Sequence, residues 1–216
     1  MMAEPKVLAC VPWLKGTEAN VMSQFGEDGL IRTVFDRQAP TTPECWEVGA
    51  GDGKNLSNTF QWRTAGWRAL LIEKEKALYD AWFASNRFVN DHFVNASLTP
   101  SGLVWLLTIY RFHHNSALGV IDIDGDDLLF FIYLISHYRP DVVLLEHSYN
   151  KPLYTREDGQ AGIREVLATA SEAAYHAVAV TPCNVVLVRS AWMSPTASGG
   201  CVRWDEKYNG LVVVGV

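Results

Sequence analysis

Glu44–Asn55, ECWEVGAGDGKN, runs a short apolar stretch into three glycines at alternate positions and then into text with helical spacing. The glycines therefore fall at a strand-to-helix turn. There the main chain takes φ angles closed to other residues and approaches a ligand with no Cβ in the way. Such a turn suits a close-packed, nucleotide-like cofactor, although a glycine-rich bend also serves as a plain tight connection. The dinucleotide fingerprint G-x-G-x-x-G requires glycine at the third place after Gly51. Lys54 stands there and Gly53 comes one place early, which disfavours nicotinamide and flavin dinucleotides.

The spacing Glu47-x-Gly49-x-Gly51-x-Gly53 resembles instead the first motif of class I S-adenosylmethionine (SAM)-dependent methyltransferases. Downstream of it, Leu56 and Phe60 stand four apart, which predicts a helix over residues 55–65 stopped by Gly66. WRALLIE (67–73) then reads as a buried strand ending in Glu73. An acid about twenty residues beyond the glycines, at the carboxyl end of the second strand, accepts hydrogen bonds from ribose hydroxyls. The alternative is that Glu73 merely opens the exposed run Glu73-Lys74-Glu75-Lys76. A helix over 77–85 and a strand over 92–96 follow, with Asn95 and Ala96 facing the adenine region; Asn95 also suits an ordinary turn. Ser101 is expected to cap a helix carrying Leu103, Leu106, Leu107 and Tyr110 at core spacing, with His113 and His114 solvated beyond it.

The fourth strand, 118–123, ends in IDIDGDD, where alternation puts Asp122 and Asp124 on one side and Asp126 and Asp127 start the next helix. Pro140 stops that helix, and DVVLLEH is a fifth strand ending at Glu146 and His147. The polar stretch 148–160, with Tyr149, Asn150, Lys151, Tyr154 and Arg156, reads as a site loop. A helix with Ile163, Val166, Leu167, Ala170 and Ala174 precedes two strands, 175–180 and 184–189, joined by a short turn. Residues 194–200 read as flexible loop. Upstream of the glycines, SQFGEDGLIRTVFDRQ places Leu30, Ile31, Val34 and Phe35 on one stripe, with Glu27 and Asp28 at the helix start. Residues 1–22 read as an irregular lead-in that covers an edge of the core, 23–190 as the main domain and 191–216 as its C-terminal extension. Alternating strands and helices call for an α/β sheet, mostly parallel and covered on both faces.

At 216 residues, 49% hydrophobic and 19% charged, the chain fits one soluble globular domain with a sizeable core. A net charge of −6 argues against wrapping duplex nucleic acid, whose affinity rests on Lys and Arg neutralising phosphates. Cys10, Cys45, Cys183 and Cys201 form no C-x-x-C pair, so neither a zinc ribbon nor a disulfide framework is indicated. The N-terminus lacks a signal-peptide core and no apolar run approaches a membrane span, so a cytoplasmic location is expected.

Together SQFGEDGLI, EVGAGDGKNLSNT, GWRALLIE, IDIDGDD, RPDVVLLEH and CNVVLVR resemble the FkbM-type branch of class I SAM-dependent methyltransferases over about residues 23–189. The resemblance implies a Rossmann-like, seven-stranded, mostly parallel sheet with an antiparallel last strand, SAM in the carboxyl-end crevice, and methyl transfer to an oxygen. It implies that Glu47 and the loop Gly49, Ala50, Gly51, Asp52 and Gly53 hold the methionine part and Glu73 the ribose. Gln24 and Asp28 would lie near the cofactor or the substrate entrance, and Asp122 and Asp124 beside the sulfonium. The chain is shorter than many members of that branch, which leaves the acceptor open.

Transfer to a hydroxyl needs an acceptor lone pair in line with the departing thioether and a group to take the proton. Asp122, Asp124, Glu146 and His147 converge at neighbouring strand ends and are the candidates. The same oxygen-rich set, Asp122, Asp124 and Glu146, also suits a hard divalent ion such as Mg2+. Asp126 and Asp127 are explained as caps, and a histidine opening a loop such as His147 is commonly a surface residue. The expected partner is a small-molecule acceptor, with a homodimer as an open option and neither duplex nucleic acid nor membrane. Two other classes stay open: a SAM-binding protein without transfer activity, and a nucleic-acid or protein methyltransferase with a rim built from Lys151, Arg156, Trp62 and Trp67.

Overall fold

The computed structural model describes residues 7–85, 87–148, 160–192, 201–205 and 210–214. Leu118–Ile121 (β5) and Glu44–Val48 (β2) lie side by side and parallel at the centre of an eight-stranded sheet. Arg68–Glu73 (β3) and Asp91–Asn95 (β4) extend it in parallel on one side of β2. On the other side Val142–Glu146 (β6) continues parallel to β5. Asn184–Arg189 (β8) then runs antiparallel to both β6 and Tyr175–Val180 (β7). Beyond β7 lies a two-residue edge strand, Leu8–Ala9 (β1), antiparallel and paired with Val180 and Ala179.

The chain leaves β2 toward β3 and β4, then crosses back to β5 on the opposite side. That reversal opens a crevice at the carboxyl ends of β2 and β5, where open α/β sheets bind ligands. β2 and β5 are buried at every position, as expected for strands covered on both faces. Alternation divides their side chains between two layers. Trp46, Val48, Ile121 and Leu145 pack with Leu103, Leu106 and Leu107 of Pro100–Ile109 (α4), Phe131 of Asp127–Leu134 (α5) and Val166 of Ile163–Glu172 (α6). Cys45, Val120 and Leu144 pack on the other face with Leu30, Ile31, Val34 and Phe35 of Glu27–Arg37 (α1). Gly119 admits the Trp46 indole, since a Cβ on it would lie 2.1 Å from that ring.

Several elements differ from the sequence expectation. The lead-in holds β1 and a 3-10 turn, Pro12–Leu14, with Val11 and Leu14 fully buried, so the sheet has eight strands where seven were expected. The expected helix over 55–65 shrinks to Phe60–Thr64 (α2). Its first turns are lost because Ser57, Asn58 and Thr59 turn onto the Glu47 carboxylate, leaving Leu56 exposed at φ 62 and out of the core. α4 is capped by Thr99, whose hydroxyl accepts the Gly102 N–H, with Ser101 inside the first turn. Pro100 at the first helical position is the signal that sets this boundary. The strand before Asp122 ends at Ile121. Cys201–Asp205 (β9) and Gly210–Val214 (β10) pair as a separate antiparallel hairpin.

Lys76–Ser85 (α3) packs Trp82 against Ala50 and Leu71. Beneath the glycine turn, the fully buried Arg63 of α2 forms an ion pair with Asp91 at 2.7 Å and donates to the Gly53 carbonyl. Removing one member of a buried pair strands the other. Arg63→Ala is expected to destabilise the fold by about 3–5 kcal/mol, read from the shift in urea midpoint, whereas Arg32→Ala at the surface should change it little.

Candidate active site

Loops from neighbouring strand ends meet at the crevice, and there main chain lies directly against main chain. The Asp122 N–H donates to the Val48 carbonyl at 3.1 Å, while the N–H groups of Gly49 and Ala50 both donate to Ile72 of β3. A Cβ on Gly49, which has φ 81, would lie 1.6 Å from the Asp122 carbonyl oxygen. Only glycine fits there on both counts. Gly53, φ 70, is held by a second close approach, its Cβ position 2.6 Å from the Trp82 ring. Gly51 faces open space, and its N–H donates to Glu73 Oε2 at 2.8 Å.

Around this turn is a cavity of about 540 Å³. Glu47, Gly49, Ala50 and Gly51 line it from the β2 loop, Glu73 and Glu75 from the β3 end, Ala96 and Leu98 beyond β4, and Asp122, Asp124 and Phe130 from the β5 side. The volume lies within the range of small-molecule sites.

Not every residue singled out from the sequence reaches it. Glu47 lines the wall, but its buried carboxylate accepts from Ser57 Oγ, the Asn58 N–H and Thr59 Oγ1 at 2.6–2.9 Å. Asp52 accepts from the N–H groups of Lys54 and Asn55, closing the bend. Asp28 is fully buried away from the cavity, with Oδ2 accepting the N–H groups of Val21, Met22 and Ser23, each at 2.8 Å. Gln24 is exposed outside the lining. Asn95 donates to the carbonyls of Glu73 and Lys74, and Ala96 alone of that pair lines the cavity. His147 is buried, with Nε2 facing the Thr181 carbonyl at 3.2 Å, and burial lowers its pKa. Trp62 and Trp67 pack with Phe35 and, like His147, do not line the cavity. Lys151, Arg156 and most of the 148–160 loop, with residues 194–200, lie outside the described residues.

The acids after β5 and β6 do come together. Ligand oxygens of Asp122, Asp124 and Glu146 lie within 4.8 Å of one another. Asp124 has φ 58, so a left-handed residue rather than strand alternation brings it beside Asp122, and its N–H donates to Glu146 Oε2. Burial pushes Asp122 up to about 7, with the charges of Asp127, Glu47 and Asp124 adding to it, while a hydrogen bond to Glu146 acts in the other direction. Burial likewise raises Glu146 to about 8, helped by Asp122, Asp127 and Asp124. The pair titrates as a unit near neutrality. Asp127 was legible only as a cap. It is buried, and its two oxygens accept from Ile123 and Gly125, fixing the loop that carries Asp122 and Asp124.

No protein-family model and no curated protein matches the chain. Among solved structures it resembles precorrin-6y C5,15-methyltransferase from Geobacter metallireducens, with a TM-score of 0.50 and 12% identity over 80% of this chain and 93% of that one. The chain shares the Rossmann-like fold of that methyltransferase. Human N-acetylserotonin methyltransferase, solved with SAM, gives a TM-score of 0.43 and 10% identity over 76% of this chain, which spans 56% of that enzyme's length. A SAM-dependent methyltransferase from Anabaena variabilis gives 0.46 and 10% identity over 73% of this chain and 82% of its own. Among the described residues no helix is long and apolar enough to cross a membrane.

Two outcomes follow from this geometry. Gly49→Ala is expected to cost about 3 kcal/mol or more, as a backbone clash with no flexible partner to yield. Asp122 and Glu146 hold protons in the folded chain that they release when unfolded. Stability of the ligand-free protein should therefore fall as pH rises from about 5 through about 8. Urea midpoints measured across that range in EDTA should show the slope, and Glu146→Gln should flatten it.

Proposed function

We propose that the chain is a SAM-dependent methyltransferase acting on a hydroxyl oxygen of a small-molecule or sugar-like acceptor. The observation that carries this reading is a single cavity lined at once by the glycine turn, Glu73 and Asp122. Bound there, SAM supplies a methyl group on a sulfonium, open to in-line displacement by the acceptor oxygen. The turn Gly49–Gly51, with open space where a side chain on Gly51 would stand, accommodates the methionine part. Glu73, although Gly51 and Glu75 each donate to one of its oxygens, keeps lone pairs for ribose hydroxyls. Asp122, raised to about 7 and paired with Glu146, takes the acceptor's proton. A base whose pKa lies near the working pH is the efficient choice for that step. The placement in the FkbM-type branch rests on the stretches SQFGED and IDIDG.

A second reading of the same acids is favoured by their all-oxygen character. Asp122, Asp124 and Glu146 suit a hard divalent ion such as Mg2+, which would polarise the acceptor oxygen. Loss of turnover in EDTA, restored by Mg2+, would select it; unchanged turnover would remove it.

Calorimetric titration is expected to show SAM and S-adenosylhomocysteine binding and NAD failing to bind; the reverse would overturn the assignment. Asp122→Asn should lower kcat by about 100-fold or more while leaving SAM affinity within a few-fold. In the wild type, kcat should rise with pH through about 7 as Asp122 loses its proton.

A further inference from the structure

Four non-glycine residues among those described have positive φ: Leu56, Arg111, Asp124 and Ala174. Arg111 and Ala174 stand just past the ends of α4 and α6, where a left-handed residue commonly closes a helix. Leu56 and Asp124 line the cavity instead. Asp124 is of a residue type that tolerates this conformation. Leucine is not, and at φ 62 its Cβ crowds the following carbonyl.

Leu56 is also 59% exposed, so packing within the protein does little to offset that strain. The backbone is pinned on both sides. Asp52 accepts from the N–H groups of Lys54 and Asn55 before it. Ser57, Asn58 and Thr59 are fastened to Glu47 after it. The side chain therefore cannot swing back into the core as a helix would have allowed. It stands on the wall that already presents Leu78, Leu98, Ile123 and Phe130. A strained, wetted apolar side chain held at a ligand cavity recovers its burial when a ligand arrives.

We propose that Leu56 is a cofactor-contacting residue that closes over bound SAM, an inference that rests on the cofactor assignment above. Its burial on binding adds affinity, and its left-handed backbone keeps it poised at the cavity rather than packed inside. Leu56→Gly and Leu56→Ala separate the contact from the strain. Glycine adopts this φ freely, so Leu56→Gly should keep or raise the thermal midpoint of the ligand-free protein and yet weaken SAM binding about fivefold. Leu56→Ala should weaken SAM to a similar degree without the thermal gain. Leu56→Met, which retains an apolar reach, should bind SAM within about twofold of wild type. Calorimetry with SAM alone, without acceptor, reads all three. Unchanged SAM affinity in both the glycine and alanine variants, with wild type binding normally, would overturn the inference. A wild type that fails to bind SAM would instead overturn the cofactor assignment, and this inference with it.

Discussion

The molecule depends on one contact between main chains: the Asp122 carbonyl lies where a side chain on residue 49 would have to go. That proximity follows from parallel pairing of β2 and β5 carried one residue beyond the ladder, through the hydrogen bond from Asp122 to Val48. It leaves the glycine turn and the acidic loop no freedom to separate. The crevice of the reversing sheet thereby becomes a cavity with fixed walls, and Arg63 supports its floor through the Gly53 carbonyl.

The carboxyl-end loops are shaped by buried carboxylates with few cations to match. Among the described residues Arg63 is the only Lys or Arg in the buried set, and it is paired with Asp91. Glu27, Asp28, Glu47 and Asp127 instead collect N–H and hydroxyl donors from the loops around them. Donors of that kind stabilise a carboxylate without a formal counter-charge. Each acid gathers a short stretch of chain that has no regular structure of its own. Asp122 and Glu146 are raised by burial and then by the acids around them, Asp127 and Asp124 among them, and so stand apart in the site as a pair that exchanges protons near neutrality.

Most strands were legible because buried strands read as apolar runs: WRALLIE and DVVLLEH contain the parallel β3 and β6, and 175–180 and 184–189 coincide with the antiparallel β7 and β8. The glycine turn, Glu73 and the acids after β5 were legible because each sits at a strand end, a position that sequence order fixes. Loop architecture was not. Leu56 and Phe60 have helical spacing, but spacing carries no information that Glu47, ten residues upstream of Ser57, would draw residues 57–59 away from a helix. Asp28 was drawn to the site by family position and Asn95 by its place at a strand end, while their polar atoms are spent on neighbouring backbone. β1 was missed because two residues have no period to read.

That same short strand bears on how the chain assembles. Leu8 and Ala9 find their partners in Val180 and Ala179, and Glu27 meets Thr181 across a separation of 154 residues. Contacts spanning so much chain close late, after nearer pairings have shortened the loop between them. During synthesis this segment would wait until β7 has left the ribosome before it could dock, so its arrival follows the strand pairings made in between and does not nucleate the sheet.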